Sequence, residues 1–131
     1  MAVQQLDAQT AKSLVDRGEA VLVDVREPAE HARESVTGVP LIPMSAFDLE
    51  RVKAAAGGKK VVFFCAVGAR SARVAEAAHA AGVTNVATMK GGPADLRAAG
   101  FDVHCPGPSA ALPYTTLVDC LRVNVSGAVI I

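Results

Sequence analysis

The chain has 131 residues, 51% of them hydrophobic and 20% charged, which is enough apolar material for one compact domain with a real core and too little length for two. Thirteen basic side chains balance thirteen acidic ones, and only 4% of residues are aromatic, with no tryptophan. That excludes the electrostatic footprint and the stacking platforms expected of a nucleic-acid binder.

The predicted elements alternate. Asp7 is placed to cap a first helix whose apolar face carries Ala8, Ala11, Leu14 and Val15, with Gly18 as its stop. The β-branched run Ala20 to Val25 predicts a strand covered on both faces, and Glu27-Pro28 opens a short helical turn. Leu41-Ile42-Pro43 reads as a brief strand, and Ser45 as the cap of a helix reaching about Ala55. After the Gly57-Gly58 break, Lys59 to Phe64 is the strongest strand signal in the chain, and Cys65 follows it directly. Helical spacing runs from Ser71 to Ala81 with Gly82 beyond it, and Asn85 to Met89 predicts a further strand. Gly91-Gly92-Pro93 is a turn, and Ala94 to Ala99 a last helix closed by Gly100. Strands alternating with helices predict an α/β fold, an open parallel sheet with helices on both faces and right-handed crossovers.

At His104 to Pro113 the composition shifts to proline, glycine and serine, so residues 1–104 form the expected domain and 105–131 a linker and tail. The tail reads equally as an added strand, an added helix or the start of an appended segment. Its apolar stretch from Leu117 to Ile131 is shorter than a membrane span and contains Asp119, Arg122 and Asn124, so no membrane crossing is expected. Cys65, Cys105 and Cys120 cannot all pair internally, and the chain opens without a secretory pattern. A reducing cytoplasm is therefore the expected compartment. The cysteines stand too far apart to chelate, and His104 beside Cys105 supplies no second pair, so neither a metal nor another cofactor is expected.

The chemistry concentrates in Cys65-Ala66-Val67-Gly68-Ala69-Arg70-Ser71, a loop between a buried strand and a helix. Ligands of open α/β sheets collect at the carboxyl ends of strands, where Cys65 stands. A loop of small residues lets backbone N–H groups converge on one point, and the helix N-terminus adds partial positive charge. A cysteine so placed, with Arg70 nearby, is expected to favour its thiolate. Without that context a cysteine after an apolar strand is more often a small buried hydrophobe. By the same default Asp24 is a buried carboxylate satisfied by amides or an arginine, Arg26 is as readily a surface ion pair as a pocket residue, and His31 and His79 are exposed. Cys105 reads as a bystander with some chance of acting as a resolving thiol, and Cys120 as packing.

The Cys65 loop, with glycine three positions on and arginine five, resembles the active-site loop of single-domain rhodanese-type sulfurtransferases. Val21-Leu22-Val23-Asp24-Val25-Arg26-Glu27 resembles that family's second-strand signature. Lys90-Gly91-Gly92-Pro93-Ala94-Asp95-Leu96 resembles its closing glycine-pair turn, and the likeness extends over about residues 4–104. It implies a rhodanese-like fold and an enzyme in which Cys65 accepts sulfane sulfur as a persulfide and hands it to a thiol or cyanide. Ala66, Val67, Gly68, Ala69 and Arg70 would then hold the outer sulfur, Arg26 would approach the pocket, and Asp24 and Ser71 would support it. The partners implied are a small-molecule or protein sulfur donor and a thiol acceptor. Two departures stand out: Glu34 to Val39 keeps only part of the family's turn, and Leu96 replaces a common aromatic. The loop brings no charge beyond Arg70, which disfavours dianionic thiosulfate as donor. Two other functions fit the layout: a cysteine-dependent phosphatase or arsenate reductase, whose loop places arginine six positions after the cysteine, and a non-catalytic docking or redox-sensing module.

Overall fold

The computed structural model of the chain describes residues 3–105. In chain order these form β1 (Gln4–Leu6), α1 (Ala8–Asp16), β2 (Ala20–Asp24), α2 (Pro28–Arg33) and β3 (Ser35–Val36). A 3-10 turn at Met44–Ala46 then leads to α3 (Leu49–Ala56), β4 (Lys60–Phe64), α4 (Ala69–Ala80), β5 (Val86–Met89), α5 (Pro93–Ala99) and β6 (Val103–His104). The main sheet has the order β1-β5-β4-β2 with every pairing parallel. The strand carrying the site is interior, and Phe63 and Phe64 at its end are fully buried. Such side chains each contribute about 1.5–3 kcal/mol by leaving water.

Alternation along β4 sends successive side chains to opposite faces. Val62 and Phe64 pack with Leu22, Met89 and Leu96 beneath α1 and α5. Val61, Phe63 and Cys65 pack with Val52, Val74 and Ala78 beneath α3 and α4. The fold is therefore α/β, a parallel sheet covered by helices on both faces. Leu96 is fully buried in the first of these clusters, filling the wall where the related aromatic is absent.

Several local expectations change. Asp7 caps α1 by accepting the Thr10 amide at 2.8 Å, as its position suggests. Asp48, not Ser45, caps α3: its carboxylate accepts the amides of Glu50 and Arg51, while Ser45 Oγ donates to Glu27 Oε1 at 2.6 Å. Leu41 makes only an isolated bridge to Asp24 instead of a strand. The three-residue β1 and the antiparallel β3–β6 pair carry too few apolar residues to announce themselves. They nonetheless fix both ends of the described residues, since Leu6 lies opposite Met89 and Val36 opposite Val103. His104 thus belongs to the folded unit. The segment read as a tail, Cys120 included, lies outside the described residues from position 106 onward. Among the described residues no helix is long and apolar enough to cross a membrane.

Candidate active site

β4 delivers Cys65 to its carboxyl end, and the loop that follows curls back over the sulfur. Gly68 turns the chain with φ 116°, a left-handed conformation that side chains rarely tolerate, and α4 begins at Ala69. The helix thus starts two residues before the position that spacing alone suggests. Ser71 becomes its third residue, whose amide has no acceptor within the helix. That amide points at Cys65 Sγ from 3.4 Å, and the Gly68 amide donates to the same sulfur at 3.1 Å. The thiol in turn lies 3.6 Å from Ser71 Oγ as a donor. Cys65 itself is fully buried, whereas Ala66 is exposed and Val67 presents 75% of its surface to solvent.

Two opposing effects act on the thiol. Burial pushes its pKa up, but the Ser71 amide and hydroxyl and the amides of Gly68 and Val67 outweigh it, so the value lies below that of an ordinary thiol. The cradle is built almost wholly of backbone donors.

Arg70 projects from the first turn of α4 to Glu30 on α2. Its Nη1 and Nη2 donate to Oε1 and Oε2 at 2.7 and 2.9 Å, a bidentate geometry that fixes both side chains. This hydrogen-bonded pairing holds the Glu30 carboxyl at about 2, against 4.5 for an ordinary glutamate, and raises the Arg70 pKa further, with the Cys65 sulfur adding to the rise. Glu30 also anchors its own helix, accepting the Glu27 amide at 3.0 Å.

Arg26 requires a correction. Expected to approach the pocket, it is only 4% exposed, and its Nε and Nη2 donate to Asp24 at 3.0 and 2.8 Å. Nη2 also donates to the Glu34 carbonyl at 2.6 Å, and the guanidinium lies 5.8 Å from the centre of the Phe64 ring. The chain turns at the end of β2, so the Asp24 carboxylate accepts the Arg26 amide at 2.9 Å and captures the guanidinium of the same residue. Its charge is spent inside the molecule. His31, expected to be exposed, is part-buried with Nδ1 3.0 Å from Asp24 Oδ2.

The glycine pair after β5 forms the wall behind the loop. The Gly91 amide donates to the Val67 carbonyl at 3.4 Å, and the Gly92 amide to Asp95 Oδ2 at 2.9 Å. A Cβ added at Gly92 would collide with the Ala66 carbonyl oxygen and come within 2.9 Å of that of Cys65. Two residues not anticipated from sequence complete the surroundings: Glu30, and Thr88 on β5, whose Oγ1 is 2.7 Å from Ser71 Oγ. Thr88 carried one faint signal. Alternation aims it at the α4 face of the sheet, where a buried hydroxyl must find a partner. Outside the loop, a groove of about 540 Å³ is lined by Ala66, Val67, Lys90 and Asp95, a mixed-charge rim. A larger groove of about 720 Å³ lies beside Val21, Leu22, Val39 and Phe101 and includes none of the loop residues.

The fold has counterparts among solved structures. A rhodanese-related protein from Thermoplasma volcanium superposes with a TM-score of 0.64 at 28% identity, covering 77% of this chain and 97% of that one. A protein of unknown function from Rhodopseudomonas palustris, described as a possible tyrosine phosphatase, gives 0.64 at 26% identity over 79% and 86%. An uncharacterized protein of Synechocystis is 31% identical over 84 residues, 64% of this chain and 46% of that protein. The chain thus spans about half the length of that curated relative. The rhodanese-like domain family model matches residues 7–99, which takes in β2, the Cys65 loop and the glycine pair together. With the sheet order, the strand-end cysteine and its curled loop already in place, that match makes the chain a member of the rhodanese-like domain family.

Proposed function

We propose that this domain is a sulfurtransferase in which Cys65 alternates between thiolate and persulfide. The observation that carries the reading is the ring of N–H groups from Gly68 and Ser71 on a sulfur at the end of β4. The thiolate attacks the outer sulfur of a donor, forming a new S–S bond to Sγ. The bond joining that sulfur to the donor breaks, and its electron pair leaves with the donor as sulfite or thiolate. A thiolate or cyanide acceptor then attacks the outer sulfur, and the electron pair returns to Cys65. No net oxidation occurs, and no cofactor enters. Ala66 to Arg70 supply the donors that would hold the terminal sulfur.

Cys65 is fully covered in this structure, so a donor reaches its sulfur only once the covering atoms move. Charge supports one donor class. Arg70 is paired to Glu30, and Ala66, Val67 and Ala69 bring no charge, so the pocket offers little to a dianion. A low-molecular-weight or protein persulfide fits better than thiosulfate, in a reducing compartment such as the cytoplasm.

The likeness to the Rhodopseudomonas protein, a possible tyrosine phosphatase, favours a second reading, phosphate-ester hydrolysis by the same cysteine. Against it stands the loop length: α4 begins at Ala69 and Arg70 follows Cys65 by five residues, one fewer than the phosphatase loop uses to surround a tetrahedral oxyanion. Thiocyanate formation from cyanide with glutathione persulfide and with thiosulfate tests both readings, alongside aryl phosphate hydrolysis. The expected result is faster transfer from the persulfide and no hydrolysis. Hydrolysis without sulfur transfer would replace the proposal with the phosphatase.

A further inference from the structure

Ser71 lies at a junction of hydrogen bonds whose protons can be counted. Its hydroxyl carries one proton and two acceptor lone pairs. Three partners surround Ser71 Oγ: the Cys65 thiol at 3.6 Å, the Gly68 carbonyl at 3.1 Å and Thr88 Oγ1 at 2.7 Å. The carbonyl can only accept, so with Cys65 protonated the Ser71 proton goes to Gly68 O and the thiol donates to Ser71. One lone pair remains. With all three contacts kept as hydrogen bonds, Thr88 is the donor in the shortest of them. Ser71 and Thr88 are both buried, at 0% and 5% exposure, so bulk water does not reach them.

Ionisation of Cys65 reverses the link between Cys65 and Ser71, releases the one to Gly68 O and keeps the one to Thr88. The thiolate has no proton to give, and the Ser71 hydroxyl can turn from Gly68 O to Sγ. Gly68 O is not stranded by this turn, because it also accepts the Ala72 amide at 3.1 Å. Throughout, Ser71 Oγ still receives the Thr88 proton, and a hydroxyl that accepts a hydrogen bond is a better donor in its own right.

We propose that Thr88 is a positioning residue for the Cys65 thiolate: by donating to Ser71 Oγ it frees the single Ser71 proton to turn onto Sγ when the thiol ionises. Thr88 touches neither sulfur nor substrate and acts only through Ser71. Nothing in this depends on what the thiolate later attacks.

The test is the ionisation of Cys65, followed by ultraviolet thiolate absorbance against pH and corrected with Cys65→Ser. Thr88→Val keeps the shape and removes the donor. The apparent thiol pKa is expected to rise by about half a unit to one unit, the scale of one neutral hydrogen bond. Thr88→Ser restores the hydroxyl and is expected to titrate like the wild type, which loss of packing alone would not explain. Should Thr88→Val fail to fold, Thr88→Ala serves with the same expected rise. Titration of the folded Val or Ala variant at the wild-type pKa would overturn the proposal, as would Thr88→Ser titrating with them.

Discussion

Around Cys65, individual residues divide between those a local pattern reveals and those only the assembled fold reveals. Cys65, Gly68, Arg70 and Ser71 belong to the first kind, because seven consecutive residues build the loop and their spacing sets its curl. Glu30 belongs to the second: it lies 40 positions before the arginine it clamps. The partner of Arg26 was missed for a related reason, since the turn ending β2 folds its guanidinium onto Asp24, two residues back. The Glu30 clamp makes acid stability predictable. Its carboxyl sits at about 2 in the folded protein against 4.5 ordinarily, so over that interval the unfolded chain binds the extra proton. Its contribution is full above the unfolded value and is lost as pH falls from 4.5 towards 2. Urea midpoints measured across this interval are expected to fall less steeply in Glu30→Gln, which is also expected to be less stable at neutral pH. Parallel pH profiles for the two proteins would show that the pair carries no such linkage.

The turn between β5 and α5 shows how an element distant in sequence shapes the loop. Gly92 passes so close to the Cys65 and Ala66 carbonyls that no side chain fits, whereas a Cβ at Gly82 meets nothing within 4 Å. Gly92→Ala is expected to cost about 1–3 kcal/mol by overpacking backbone against backbone, and to push the loop off the sulfur. Gly82→Ala should cost roughly 1 kcal/mol through its φ of 102° and leave the thiol alone. Chemical denaturation with thiol titration separates the two, and a Gly92→Ala protein of wild-type stability would contradict the contact. The glycine pair was visible in sequence as a turn, but its role as a wall was not, because the approach depends on β4 and β5 lying side by side. Long apolar strands and the helical period of α4 were legible for the opposite reason, being properties of contiguous residues. The short β1, β3 and β6 were not, since their pairing partners rather than their composition make them strands.

At the scale of the molecule, an all-parallel sheet with both faces covered leaves one end of the strands as the place where a loop, a helix N-terminus and a buried sulfur meet. The alternation of strands and helices was enough to foresee that architecture, and the balance of thirteen basic against thirteen acidic side chains leaves the domain without a strong overall field. On the proposed reading, selectivity then rests on the loop itself. Intact-mass spectrometry of the full chain, incubated with a sulfane donor under otherwise reducing-free conditions, is the most direct trial of that view. The account predicts one added sulfur that maps to Cys65, disappears on treatment with cyanide or a thiol, and is absent in Cys65→Ser. Persistence of the adduct in Cys65→Ser, or none in the wild type with any donor, would contradict it.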